Sequence, residues 1–249
     1  MNNFFPKLLF SIVVTLSMNA LDMVYHLATN WAVHLNYVAI KLTLIFLSVW
    51  MITHFIGIGK EQGIVASILG PFMFYIYYVF AGPTLNREIF SLDEQFWFVF
   101  LHVFFMLIAY FAAWNFLISK KSWIKKSGFF VIATLTPVAL HALFIMLRWH
   151  INGIDEETAA SMMTFSLMLV PVIAYTIGNC IVLAIERILK NKIIVLITAT
   201  IIPAVIIGIS VKEISAPIFA LIFVALTYFM LNAFEKGLAK NTPWKRKTG

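Results

Sequence analysis

A single cysteine, Cys180, stands among the 249 residues of the chain, so no intrachain disulfide can form, and neither a CxxC redox pair nor a thiolate zinc cage is available. Charge is also scarce. Asp, Glu, Lys and Arg make up 12% of the residues against 62% hydrophobic, and the mean hydropathy is +0.94. A soluble domain of this length cannot bury so much apolar surface. No soluble domain, linker or low-complexity segment interrupts the pattern. The net charge of +7 does not mark a nucleic-acid-binding face either, because the basic residues fall in short segments between apolar runs.

What the chain has in abundance is apolar runs of about 20 residues, the length a helix needs to cross a bilayer. They lie near residues 8–29, 34–57, 63–81, 95–118, 128–149, 161–186, 192–210 and 215–233. The expected fold class is therefore all-α, a polytopic transmembrane bundle of about eight spans forming a single integral membrane domain, with the lipid bilayer as its surroundings. The alternative is seven spans and one re-entrant segment. Residues 8–20 follow Lys7 and end at Ser17-Met18-Asn19-Ala20 in the outline of a secretory leader, but the apolar character continues to Leu27, so they read as the first span.

Lys and Arg resist translocation and so report direction. One set of alternate loops holds Lys7, Lys60, Lys120, Lys121, Lys125, Lys126, Arg187, Lys190, Lys192, Lys236, Lys240, Lys245, Arg246 and Lys247, fourteen in all, and the other only Arg87, Arg148 and Lys212. Both termini are expected in the cytoplasm, with the protein in the plasma (inner) membrane. Pro71, Pro137, Pro171 and Pro203 fall within spans and are expected to kink them. The pairs Ala66 with Gly70, Ala109 with Ala113 and Ala204 with Gly208 suit close helix packing.

Ionisable groups in hydrocarbon need a partner, a wet cavity or a function. Asp22, Lys41, His102 and His141 all sit roughly 10 to 12 Å below the outer surface at 1.5 Å per residue, which predicts a polar pocket in the outer half of the membrane. Tyr75 or Tyr78 can reach the same level. His26 shares a helical face with Asp22, and His34 shares one with Lys41. The plain structural reading is an Asp22–Lys41 ion pair with histidines bonded to neighbouring helices; the functional reading is a proton relay or a seat for a charged head. Span six carries Thr164, Pro171, Tyr175, Asn179 and Glu186 as a polar stripe, either a permeation path or an interhelical hydrogen-bond seam. No cofactor is implied. A metal on Asp22, His26, His102 and His141, or a haem between histidines, is a lesser alternative, with Lys41 opposing a cation and no HExxH present.

Three segments, His34-Leu35-Asn36-Tyr37, Arg87-Glu88-Ile89-Phe90 and Leu101-His102, resemble in order and span the androgen-induced family of membrane hydrolases, which cleave fatty-acid esters of hydroxy fatty acids, and its bacterial relatives. The resemblance covers roughly a quarter of the chain and implies His102 as a catalytic base acting with a threonine nucleophile of span two. Asn36 occupies the position of that threonine. Thr43, seven residues on along the same face, is the candidate substitute, although its face is turned about 160° from Lys41. About six spans are implied, leaving 192–233 as an addition. Three readings follow: an intramembrane hydrolase of a lipid or acyl substrate using His102 and Thr43, a proton-coupled small-molecule transporter using Asp22 and Lys41, and a structural or assembly protein without catalysis.

Overall fold

The computed structural model describes residues 4–29, 33–81, 92–155, 158, 165–188, 192–211 and 215–239. They form helices α1 (Phe4–Ala28), α2 (Leu35–Met51, extended by a π-helical turn over Ile52–Ile56), α3 (Lys60–Ala81), α4 (Leu92–Ile118), α5 (Ser122–Ile151), α6 (Phe165–Ile188), α7 (Lys192–Val211) and α8 (Ser215–Ala239). There is no strand among the described residues. Hydrocarbon offers a backbone no hydrogen bonds, so each crossing segment must satisfy its own, which an α-helix does.

Seven of these helices are long and apolar enough to cross a membrane. The other, α7, has a shorter apolar stretch, Ile194–Ser210. It packs against both α6 and α8 and is joined to each by only three residues, 189–191 and 212–214. Gly178 of α6 lies against Pro203 of α7, and Gly208 of α7 against Pro217 of α8. The helices continue through Pro71, Pro137, Pro171 and Pro203.

The bundle is apolar inside and out. Ile197, Ile201, Val205 and Ile209 of α7 form one exposed row, and Ile64, Ile68 and Phe72 of α3 form another. Rows like these suit lipid and not water. α1 is the axis: it touches α2, α4, α5, α6 and α8, and 72% of its apolar window is buried, compared with 33% to 56% in the others. Small residues permit this density. Ala66, Ala109 and Ala113 are fully buried, and a side chain on Gly128 of α5 would come within 2.4 Å of the Ala112 carbonyl on α4.

At one end of the bundle lysines are tied across helices. Lys125 of α5 pairs with Glu235 of α8, Lys126 with Glu186 of α6 at 3.2 Å, and Lys7 Nζ donates to the His54 carbonyl at 2.9 Å. The opposite end, where α1 stops and α2 and α4 begin, holds the buried charges.

Candidate functional site

Asp22 lies one and a half turns before the end of α1 and is 1% exposed, and Lys41 of α2 is completely buried. An isolated charge at such depth is very costly. The two answer one another: Lys41 Nζ donates to Asp22 Oδ2 and also sits 4.8 Å from the centre of the Tyr37 ring, one turn back on α2. Asp22 Oδ1 faces two histidines instead. His102 Nε2 of α4 is 3.1 Å away and His26 Nε2, one turn along α1, is 3.5 Å away. The Tyr37 hydroxyl lies between these rings, 3.3 Å from His102 Nε2 and 3.4 Å from His26 Nε2.

Counting protons shows what this arrangement can do. His102 Nδ1 is 2.7 Å from the Phe98 carbonyl, and a carbonyl only accepts, so Nδ1 carries a proton. In neutral His102, Nε2 is then a bare lone pair, which the Tyr37 hydroxyl can satisfy. In that tautomer the lone pair lies 3.1 Å from Asp22 Oδ1, another acceptor. One added proton, on either the carboxylate or the imidazole, turns two opposed acceptors into a donor and an acceptor. The Tyr37 hydroxyl has a single proton and can donate to only one ring, accepting from the other. The cluster is therefore a place where protons can be exchanged among three helices.

A cavity of about 200 Å³ borders it, lined by Asp22, Tyr25 and His26 of α1 and by Trp97, Phe98, Leu101 and His102 of α4. Asp22, His26 and His102 are buried at the inner wall; Trp97 is largely exposed at the bundle surface. Aromatic packing holds the α4 wall: His102 stacks obliquely on Phe98 at 4.2 Å, and Phe98 meets Tyr78 of α3 at 5.7 Å. A polar recess behind an apolar mouth suits a molecule with one polar group and an apolar remainder.

The structure brings together Asp22, His26, Lys41 and His102 and sends the remaining expected residues elsewhere. His141 belongs to a different contact set, with Nδ1 3.3 Å from the Tyr175 hydroxyl of α6 and its ring 5.9 Å from Phe223 of α8. Asn179 is held on both ends of its amide, donating to Thr134 Oγ1 and accepting from the Tyr228 hydroxyl, each at 3.1 Å. With Tyr175 and Asn179 buried and so engaged, the span-six stripe is a hydrogen-bonded seam between α5, α6 and α8. Thr164 of that stripe lies outside the described residues. Tyr75 is half-buried and donates to Gln95 of α4.

Thr43 is on the exposed face of α2 and donates its hydroxyl to the Ala39 carbonyl at 2.8 Å; it does not join His102, as the helical rotation from Lys41 requires. Asn36 is likewise exposed. The expected Thr43–His102 pair is thus not formed, and Arg87-Glu88-Ile89-Phe90 lies outside the described residues. Among the described residues no group of three or more His, Cys, Asp or Glu is arranged to hold a metal ion; Lys41 stands where a cation would meet Asp22. A haem ligated by paired histidines has their ring nitrogens facing each other across the macrocycle, whereas His26 and His102 converge on one hydroxyl.

Tyr37 is the site residue that the sequence reading passed over. Its signal was its place four residues before Lys41, on the same helical face. No family model, characterised protein or solved structure matches the chain.

Proposed function

We propose that this protein is a proton-coupled carrier of a small acid-headed amphiphile, whose head enters the α1–α4 cavity and exchanges a proton with the Asp22–His102–Tyr37 cluster. The observation that carries this reading is the contact of Asp22 Oδ1 with His102 Nε2, a carboxylate and an imidazole 3.1 Å apart at the wall of a cavity whose Trp97 rim is exposed on the bundle surface. Three basic side chains, Lys41, His26 and His102, surround one carboxylate. Protonation of a histidine leaves a positive surplus that an anionic head satisfies. The lysine and arginine bias, fourteen against three, supports cytoplasmic termini and a cavity opening in the outer leaflet of the plasma membrane.

Radiolabelled decyl phosphate, which crosses bare bilayers slowly, serves as the probe in vesicles reconstituted with the whole chain. Uptake should exceed that of empty vesicles, follow an imposed pH gradient and disappear in Asp22→Asn. Uptake equal to empty vesicles, or indifferent to the gradient, removes the proposal.

A second reading rests on the same Asp22–His102 contact. A carboxylate beside an imidazole can draw the proton from a water attacking an acyl ester, with the alcohol leaving protonated, and no serine or threonine nucleophile is then required. Release of p-nitrophenol from p-nitrophenyl decanoate, lost in His102→Ala, would favour this hydrolytic reading over carriage.

A further inference from the structure

The polar face of α1 extends well beyond the site. At 100° per residue Ser11, Thr15, Asn19, Asp22 and His26 fall within an arc of about 80°, with Lys7 about 40° outside it. This stripe runs along the most enclosed helix of the bundle, and Ser11, Thr15 and Asn19 are at most 3% exposed. Both ends meet α2. Asp22 pairs with Lys41 at one, and at the other Ser11 Oγ hydrogen-bonds Thr53 Oγ1 at 2.9 Å.

Between those ends the protein leaves polar atoms unanswered. Thr15 Oγ1 and Asn19 Oδ1 are fully enclosed, and no described residue hydrogen-bonds either one. A buried helical hydroxyl ordinarily turns to the carbonyl four residues back, as Ser11 does to Lys7 at 3.0 Å. Unmet acceptors at this depth are costly. Along the axis Asp22, Asn19, Thr15 and Ser11 are separated by steps of about 4.5 to 6 Å, which one water with a hydrogen bond on each side spans; the packing leaves no water-sized space at Thr15 Oγ1 or Asn19 Oδ1, so water reaches them only when α1 and its neighbours part transiently.

We propose that this face of α1 is a proton path linking Asp22 to the lysine-rich end of the bundle through water admitted transiently between the helices, Thr15 and the Ser11–Thr53 pair. Each hydroxyl or water accepts one proton and releases another, so an O–H bond breaks for every one that forms and no charge stays behind on the stripe. Asn19 Oδ1 can only accept, and its part is to hold a water in line. At the far end His54, the residue after Thr53, has a buried ring Nδ1 with no hydrogen-bond partner among the described residues. Asp22 is thereby reached from two directions, by the cavity on one side and by the stripe on the other.

The path rests on Asp22 exchanging protons and not on what the cavity carries, so it and the carrier reading fail separately. Its test needs no cargo. Dicyclohexylcarbodiimide adds to protonated carboxyl groups in apolar surroundings, and mass spectrometry reads its attachment to Asp22. Vesicles of one insertion direction, with lumen and bath buffered independently, report which side supplies the proton. The groups facing Asp22, namely Lys41 and Tyr37 of α2, His102 of α4 and His26 of α1, are common to the wild type and the stripe variants, so a change in sidedness isolates the stripe.

The wild-type rate is expected to respond to pH on the Lys7 side, approaching about tenfold per unit where the carboxyl is mostly ionised. Thr15→Val with Asn19→Leu should abolish that response and leave only the response to the cavity side; Thr15→Ser should retain it. Should the double variant fail to fold, isosteric Thr15→Val alone is expected to cut the response several-fold. A wild-type rate blind to pH on the Lys7 side, unchanged sidedness in the folded stripe variants, or no labelling of Asp22 at any pH overturns the path.

Discussion

Two polar regions share this bundle, and they differ in charge, in satisfaction and in access. In the α1–α2–α4 region a buried Asp22–Lys41 pair is flanked by His26, Tyr37 and His102 and borders a cavity. In the α5–α6–α8 region His141 with Tyr175, and Thr134 with Asn179 and Tyr228, form neutral hydrogen bonds. The first sets one carboxylate against a lysine and two imidazoles. The second pairs the Asn179 amide at both its oxygen and its nitrogen. Neutral, hydrogen-bonded groups hold helices in register, whereas ionisable groups in contact keep more than one protonation state within reach. Similar depth in the membrane therefore does not imply similar work.

The largest expected effect comes from breaking the charged region unevenly. Asp22→Ala strands the Lys41 ammonium in the core and should destabilise the protein by about 3–5 kcal/mol. Thermal unfolding in detergent measures it. Replacing both partners, with Asp22→Leu and Lys41→Met, should recover most of that loss while pH-driven uptake of decyl phosphate stays absent. Recovery of uptake in the double variant would make the pair purely structural.

His102→Ala and Tyr37→Phe sharpen the contrast at intermediate size. Loss of His102 should lower uptake by tenfold or more, equivalent to about 1.4 kcal/mol in the step that limits it. Tyr37→Phe removes one hydroxyl and should cost about 1 kcal/mol of stability, with uptake shifted in its pH dependence and not abolished.

The neutral region should behave oppositely. Asn179→Leu breaks two interhelical hydrogen bonds and should cost about 1–2 kcal/mol, at roughly 0.6 kcal/mol or somewhat more for each. Uptake per folded molecule should be unchanged; a loss matching that of His102→Ala would merge the two regions into one site. The smallest effect is expected at the lysine-rich end. Lys125 and Glu235, which are 39% and 31% exposed, form a pair screened by solvent, and Lys125→Ala should change stability by about 0–1 kcal/mol.

Much of the fold was legible because hydrocarbon imposes length and polarity on every crossing segment. The expected run at 63–81 matches Lys60–Ala81, and 192–210 matches Lys192–Val211. Helix ends were less legible: the expected span 128–149 became Ser122–Ile151, with Lys125 and Lys126 inside the helix because Glu235 and Glu186 receive them. Partnered lysines can extend a helix past the edge of its apolar run. At the site, Asp22 and Lys41 were visible as ionisable residues in apolar surroundings, and their spacing indicated depth. Rotation about each helix axis was not visible. His141 lies at a similar expected depth yet turns to α6, while Thr43 turns outward, and Tyr37, whose type gives no warning in an aromatic-rich chain, joins Asp22 in bridging the two histidines.

Sequence alone determined the solvent of this protein, its all-helical class and the scarcity of ionisable groups within its spans, because those follow from the transfer cost of side chains and backbone one segment at a time. Tertiary structure decided which of those groups meet, which are already satisfied and where space remains beside them. These are matters of how one helix face turns toward another, and that choice is made by packing among distant segments.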